Sequence, residues 1–290
     1  MRSVDTLTRQ RHCSDMLTLL VFILLGVIIL FPVVRFAAFL ISNHVSGDLA
    51  EIRERLGSLP WPLVRGLATA MAAEPIAIFS VVKLLVSRSE RGGEGIPILL
   101  THGLYHNKTA WWYFKRQLRR AGFTNLHTYQ YNSFTKDFNV AVAGMESKLD
   151  ELLGDDPDGR VILVGHSMGG LVSRCVAGQY AYRDRVAALI TLGSPHKGSV
   201  LAYLGCNRMA RGLIPGQYIS KRVAEMPDPN CPRLGIYTLT DDYVCPFHLL
   251  RTGRDSWEEQ ICSPMGHVWM LYSREITERV IRFLQDKGID

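Results

Sequence analysis

"RVILVGHSMGGLVSRCVAG", residues 160–178, joins a run of strand-forming residues to a glycine-rich turn that holds one serine. A strand ending at Gly165 and a helix beginning near Met168 leave Ser167 on a sharp, strained turn. Glycine at 165 and 169 removes side chains that would collide across that turn. The turn lifts the serine hydroxyl out of the sheet. It also points the Met168 N–H, at a helix N-terminus, toward any negative charge that develops there. G-x-S-x-G alone is a weak signal; the strand–turn–helix setting makes Ser167 a candidate nucleophile.

The pattern around this stretch alternates. From Ile96 onward "IPILLTHG", "LHTYQY", "RVILVG", "VAALITLGSP" and "LGIYTLT" read as strands. Between and after them, "TAWWYFKRQLRRAG" (Thr109 as N-cap), "FNVAVAGMESKLDELLG", "MGGLVSRCVAGQYA" and "SREITERVIRFLQ" read as helices. Strands alternating with helices require crossover connections. The expected fold class is therefore α/β, a mostly parallel sheet with helices on both faces. A longer irregular region, residues 196–232, interrupts the rhythm and reads as a lid-like insert.

A serine needs a base, and the base needs an orienting carboxylate; on this fold the chain order is serine, acid, histidine. "IYTLTDDYVCP" offers Asp241 and Asp242 at a strand end. Asp242 is the expected acid, followed by a buried valine and a turn proline, and Asp241 is expected to serve the turn or face solvent. His267, in the glycine-flanked loop "SPMGHVWML", is the expected base. His248 stands too close to the acid to come from a later loop. The oxyanion hole needs two N–H donors. Met168 supplies one, and the loop after the first core strand supplies the other through Leu104, with Tyr105 the alternative. His102 is read as shaping that loop, and His166 as packing beside the serine. Trp111, Phe114 and Leu118 share one helix face and read as core rather than as an acyl pocket.

The N-terminal third is different. Residues 17–34 carry no charge and reach the length of a transmembrane helix; a cleaved signal peptide is the alternative, but the stretch is longer than a signal's apolar region and no A-x-A site follows. The apolar stretch continues past Arg35, expected to snorkel, to Ile41. The expected organisation is a tail (1–15), an anchor (16–41), a juxtamembrane helical region and linker (42–95), and a catalytic domain (96–290). Arg2, Arg9 and Arg11 precede the span, which predicts a cytoplasmic N-terminus and a catalytic domain on the non-cytoplasmic side. Residues 66–86 form a weaker apolar stretch interrupted by Glu74, Pro75 and Lys83. They read as an interfacial or core-packed helix, with a second span as the alternative.

The net charge of +6 is scattered, and no aromatic–basic alternation points to nucleic acid. The six cysteines show no zinc spacing. In an oxidising compartment Cys206, Cys231, Cys245 and Cys262 are the candidates for one or two bridges. No metal or organic cofactor is implied.

"THGLYHNKTAWW" (101–112), "GHSMGG" (165–170) and "TLGSPHKGS" (191–199) together resemble the α/β-hydrolase lipases and esterases. The resemblance is to the small bacterial triacylglycerol lipases and the inositol-deacylase-like lipases, and it covers residues 96–290. It implies a Ser167–Asp242–His267 triad, a Leu104/Met168 oxyanion hole, and structural roles for Pro195 and His196. The insert, with "CNRMARGLIPGQY", departs from the family pattern. The function expected is hydrolysis of carboxylic esters through an acyl-enzyme, on lipids or other apolar acyl esters near a membrane. An acyltransferase or thioesterase using the same triad, and an inactive membrane-anchored binding protein, are the alternatives.

Overall fold

A computed structural model describes residues 2–86 and 92–289. Part of the expected linker, residues 87–91, lies outside the described residues, as do Met1 and Asp290. Six strands form one parallel sheet: β1 (Ile98–Thr101), β2 (Leu126–Tyr129), β3 (Val161–His166), β4 (Val186–Leu192), β5 (Arg233–Thr238) and β6 (Glu258–Cys262), in the order β2-β1-β3-β4-β5-β6. β1, β3 and β4 are buried at every position, which explains their unbroken apolar runs.

The alternation of side chains along each strand divides the core in two. Ile98, Leu100, Ile162 and Val164 face α4 (Trp112–Arg120) and a C-terminal helix, Arg274–Asp286. Leu99 and Leu163 face α5 (Phe138–Leu153) and α6 (Met168–Ala177). Trp111, Phe114 and Leu118 are fully buried in the first of these layers, so they are core. The insert between β4 and β5 carries a 3-10 turn (Val200–Leu204) and two short helices, α7 (Arg208–Arg211) and α8 (Tyr218–Glu225); the C-terminal helix is α9.

Two local expectations are corrected. The helical segment after β1 starts as a 3-10 turn (Lys108–Trp111) whose N-cap is Asn107, not Thr109. Asn107 Oδ1 accepts the Thr109 N–H at 2.9 Å, the shorter reach that an Asx side chain allows. β6 was not expected: Glu258, Glu259 and Gln260 are polar because the strand lies at the sheet edge, where one side stays wet.

The N-terminal third consists of α1 (Arg2–Val45), α2 (Asp48–Leu56) and α3 (Pro60–Leu85). α1 from Ser14 and the whole of α3 are long and apolar enough to cross a membrane. α1 has two parts. Between Met16 and Val34 its described large apolar side chains are mostly exposed. At 1.5 Å per residue that stretch spans about 28 Å, close to the roughly 30 Å of a bilayer's hydrocarbon core. From Arg35 onward the helix packs on the α/β domain: Arg35, Phe36, Phe39 and Asn43 are buried, and Asn43 Oδ1 accepts the Phe247 N–H at 2.9 Å. The expectation that Arg35 snorkels is therefore corrected; its guanidinium turns inward onto acidic partners.

α3 lies across the loops at the carboxyl ends of the strands. Gly66 abuts Phe36 and Thr240, Ala70 abuts Gly266, and Thr69 Oγ1 accepts the Gly266 N–H at 2.8 Å. Further along, Thr109 Oγ1 donates to the Ser80 carbonyl at 2.5 Å, and Asn107 Nδ2 donates to Ser80 Oγ at 3.3 Å. One helix thus touches the loops that follow β1, β5 and β6.

A Cβ added at Gly266 would sit 2.8 Å from both Cα and Cβ of Ala70. Overpacking against a helix backbone costs about 1–3 kcal/mol. Gly266→Ala should accordingly lower the thermal midpoint of detergent-solubilised protein, and an unchanged midpoint would contradict this packing.

Candidate active site

Ser167 joins β3 to α6 at φ 55° and ψ −127°, a conformation that side-chain-bearing residues rarely adopt. Its neighbours make the turn possible. A Cβ at Gly165 would fall on the Gly170 backbone, and one at Gly169 would fall on the Thr101 carbonyl. The Ser167 N–H donates to the Leu192 carbonyl at 2.8 Å, tying the turn to the end of β4. On the other side a Cβ at Gly103 would stand 2.9 Å from Ser167 Cβ, so the loop after β1 approaches the serine closely.

Two N–H groups are free beside it. Met168 is the first residue of α6, where a helix leaves its donors without intrahelical partners. The Leu104 N–H has no acceptor among the described residues. The Tyr105 N–H, the alternative, is committed to Ser133 Oγ at 2.8 Å.

His267 precedes a 3-10 turn (Val268–Tyr272) after β6 and is almost fully buried. Its Nδ1 is 2.7 Å from Oδ2 of Asp241. The carboxylate on the imidazole is therefore Asp241, and the expectation of Asp242 is corrected. Asp241 also serves the turn, since its Oδ1 accepts the N–H groups of Tyr243 and Val244 at 2.9 and 2.8 Å. One oxygen builds an Asx turn and the other is aimed by it. Asp242 faces the same histidine from behind, its Oδ1 accepting the His267 main-chain N–H at 2.8 Å. Its Oδ2 accepts from Arg35 Nε at 2.8 Å.

With Nδ1 on Asp241, Nε2 of His267 is the nitrogen left for a proton from the serine. The imidazole lies against Gly193, whose added Cβ would be 3.1 Å from Nδ1, and Gly193 directly follows the residue that anchors Ser167. The His166 and His267 ring centroids are 4.6 Å apart. Among the described residues no hydrogen bond joins Ser167 Oγ to His267, and in unliganded sites such bonds commonly tighten only with substrate.

The other histidines here are held by burial and hydrogen bonds. His102 is fully buried and stacks on Tyr131 at 4.3 Å. Its Nδ1–H donates to the Gly103 carbonyl at 2.9 Å, and its Nε2 accepts the Tyr131 N–H at 3.3 Å. His166 Nε2–H donates to the His267 carbonyl at 3.1 Å. His196 is buried between Arg174 and Thr191. Burial pushes His102 down to about 4. Burial, with repulsion from His267 as the smaller cause, pushes His106 to about 4 and His166 well below its ordinary value.

An exposed apolar rim, which the sequence alone did not reveal, adjoins the loop after β1. Tyr105 and Phe134 pack at 5.0 Å, and Tyr203 and Leu204 stand exposed on the insert. Asn207 Nδ2 ties that insert to the loop after β2 by donating to the carbonyls of Ser133 and Phe134 at 2.8 and 3.0 Å. Cys175, Cys206, Cys231, Cys245 and Cys262 are free thiols, so the bridges considered from sequence are not formed among them. Among the described residues no three His, Cys, Asp or Glu side chains group as a metal site.

The sheet has clear counterparts. The fold is similar to that of a Bacillus licheniformis lipase, with a TM-score of 0.53 at 18% identity over 68% of this chain and 95% of that one. It is likewise similar to a meta-cleavage product hydrolase from Pseudomonas fluorescens, with a TM-score of 0.51 at 14% identity over 67% and 92%. These topologies show that the chain has the α/β-hydrolase fold. Residues 92–206 match the PGAP1-like alpha/beta domain. A GPI inositol-deacylase of Candida albicans is 31% identical over 83 residues, 24% of this chain and 21% of the relative. A triacylglycerol lipase of Burkholderia plantarii is 28% identical over 148 residues, 49% of this chain and 38% of the relative. The matched segments thus span well under half the length of either relative.

The depressed histidines give a stability prediction. Each binds a proton more readily when unfolded, so its stabilising contribution is present above about pH 6.5 and is lost as pH falls toward about 4. The thermal midpoint should fall by at least about 5 °C between pH 7 and pH 4.5. A midpoint that rises on acidification would contradict the neutral, buried assignment.

Proposed function

We propose that the protein is a membrane-anchored serine hydrolase of carboxylic esters, with Ser167, His267 and Asp241 as its triad. The observation that carries the reading is the strained Ser167 turn, with the Leu104 and Met168 N–H groups free beside it and the His267 imidazole held on a buried carboxylate nearby. Ser167 Oγ attacks the ester carbonyl as its proton passes to His267 Nε2. The two N–H groups take up the negative charge of the tetrahedral intermediate. His267 then protonates the departing alcohol, leaving Ser167 acylated. Water, deprotonated by the same imidazole, releases the acid. Asp241 fixes the tautomer and stabilises the imidazolium that forms in each half-reaction.

The surface supports one substrate class. Tyr105, Phe134, Tyr203 and Leu204 offer an apolar rim, and the exposed part of α1 would hold the domain at a bilayer. Esters with apolar acyl groups at the membrane surface fit both features. The relatives named as lipase and deacylase support the same class.

Ser167→Ala should abolish hydrolysis of short acyl esters by purified protein; retained turnover would refute the reading. The two aspartates should separate. Asp241→Asn should cost about 10,000-fold in kcat by removing the partner that fixes the imidazole. Asp242→Asn, which leaves that partner in place, should cost about 10- to 100-fold. Equal losses would contradict the division of roles.

A further inference from the structure

Arg35 belongs to the N-terminal helix, yet it is 2% exposed and lies against the loop that carries both aspartates. Its Nε donates to Asp242 Oδ2 at 2.8 Å, one Nη to Glu74 of α3 at 2.6 Å, and the other Nη to the Tyr243 hydroxyl at 2.9 Å. The guanidinium carbon lies over two rings, 4.3 Å from the centroid of Tyr243 and 4.4 Å from that of Phe31. The node joins three parts of the chain: α1, α3 and the loop after β5.

We propose that Arg35 is a positioning residue for the reaction, locking the Asp242 carboxylate that holds the His267 main chain and so making the catalytic geometry depend on the docked N-terminal helices. The inference rests on the hydrolase reading above. The geometry is a relay of single hydrogen bonds, from Arg35 to Asp242 and from Asp242 to the His267 N–H. Asp241 and Asp242 are adjacent and both buried, so their charges repel. The guanidinium offsets one of them, leaving the other to serve the imidazole. A buried ion pair is rarely worth more than well-packed apolar side chains. An arginine here therefore gains most through its fork, which holds two carboxylates and a hydroxyl in one plane.

α3 reinforces the coupling. It supplies Glu74 to the node and touches the His267 loop through Thr69 and the β1 loop through Ser80. Withdrawal of α1 would leave Asp242 and Glu74 without their cation and free the His267 loop on that side. Catalysis is thereby tied to a segment whose preceding turns suit a bilayer.

The test uses full-length protein in detergent micelles, with p-nitrophenyl butyrate as a soluble ester and Ser167→Ala as the reference for the triad. kcat is expressed per folded molecule, with the folded fraction taken from near-UV circular dichroism. Arg35→Met should lower kcat by about 10- to 100-fold, the scale of a small misplacement of a catalytic group, and leave KM within about twofold. Arg35→Lys should fall between, since an ammonium satisfies one carboxylate but not the whole fork. If Arg35→Met does not fold, Arg35→Lys and Glu74→Gln carry the test, each with a reduced kcat at unchanged KM. A lower thermal midpoint with unchanged kcat per folded molecule would reduce Arg35 to a stabilising contact and overturn the proposal. Full activity of the Arg35 variants beside an inactive Ser167→Ala would overturn it too, while sparing the hydrolase reading. Retained activity in Ser167→Ala would instead defeat that reading itself.

Discussion

The backbone at Ser167 is held at φ 55°, and most of what surrounds the site exists to allow it. A residue with a side chain reaches that conformation only when its neighbours leave no alternative. β3 ends there, α6 begins there, and the main chain is tied to Leu192 at the end of β4. Gly103, Gly165 and Gly169 are small because backbone from three directions converges on one serine. The same convergence leaves the Leu104 and Met168 N–H groups unspent. Strain and available donors are two consequences of one turn.

The histidine side of the site uses a different device. Asp241 and Asp242 divide the labour on His267: one takes the ring and the other the main chain. Neither is free to drift. Asp241 is fixed by the turn it caps, and Asp242 by a guanidinium from the first helix. The N-terminal third thus takes part in the site's packing. Its exposed part is dimensioned like a bilayer span, and its buried part is continuous with the catalytic loops.

Much of this architecture was legible in the chain. Unbroken apolar runs such as residues 161–164 announce strands covered on both faces, and glycine at 165 and 169 around one serine announces the turn. What stayed hidden depends on contacts between distant segments. The choice between Asp241 and Asp242 turns on which carboxylate caps the following N–H groups, and adjacency in sequence gives no sign of that. The Asx spacing from Asp241 to Tyr243 and Val244 was the available clue. β6 was invisible because an edge strand needs little apolar character. Arg35 looked like a snorkelling cation because its acidic partners are 39 and 207 residues away.

The most direct measurement is peptide mapping after reaction of the folded, detergent-solubilised protein with a fluorophosphonate. A single adduct on Ser167, formed rapidly at neutral pH and lost when His267 is replaced by glutamine, is what this arrangement requires. An adduct on another serine, or labelling of Ser167 that proceeds equally well without the imidazole, would show that the turn does not present an activated nucleophile.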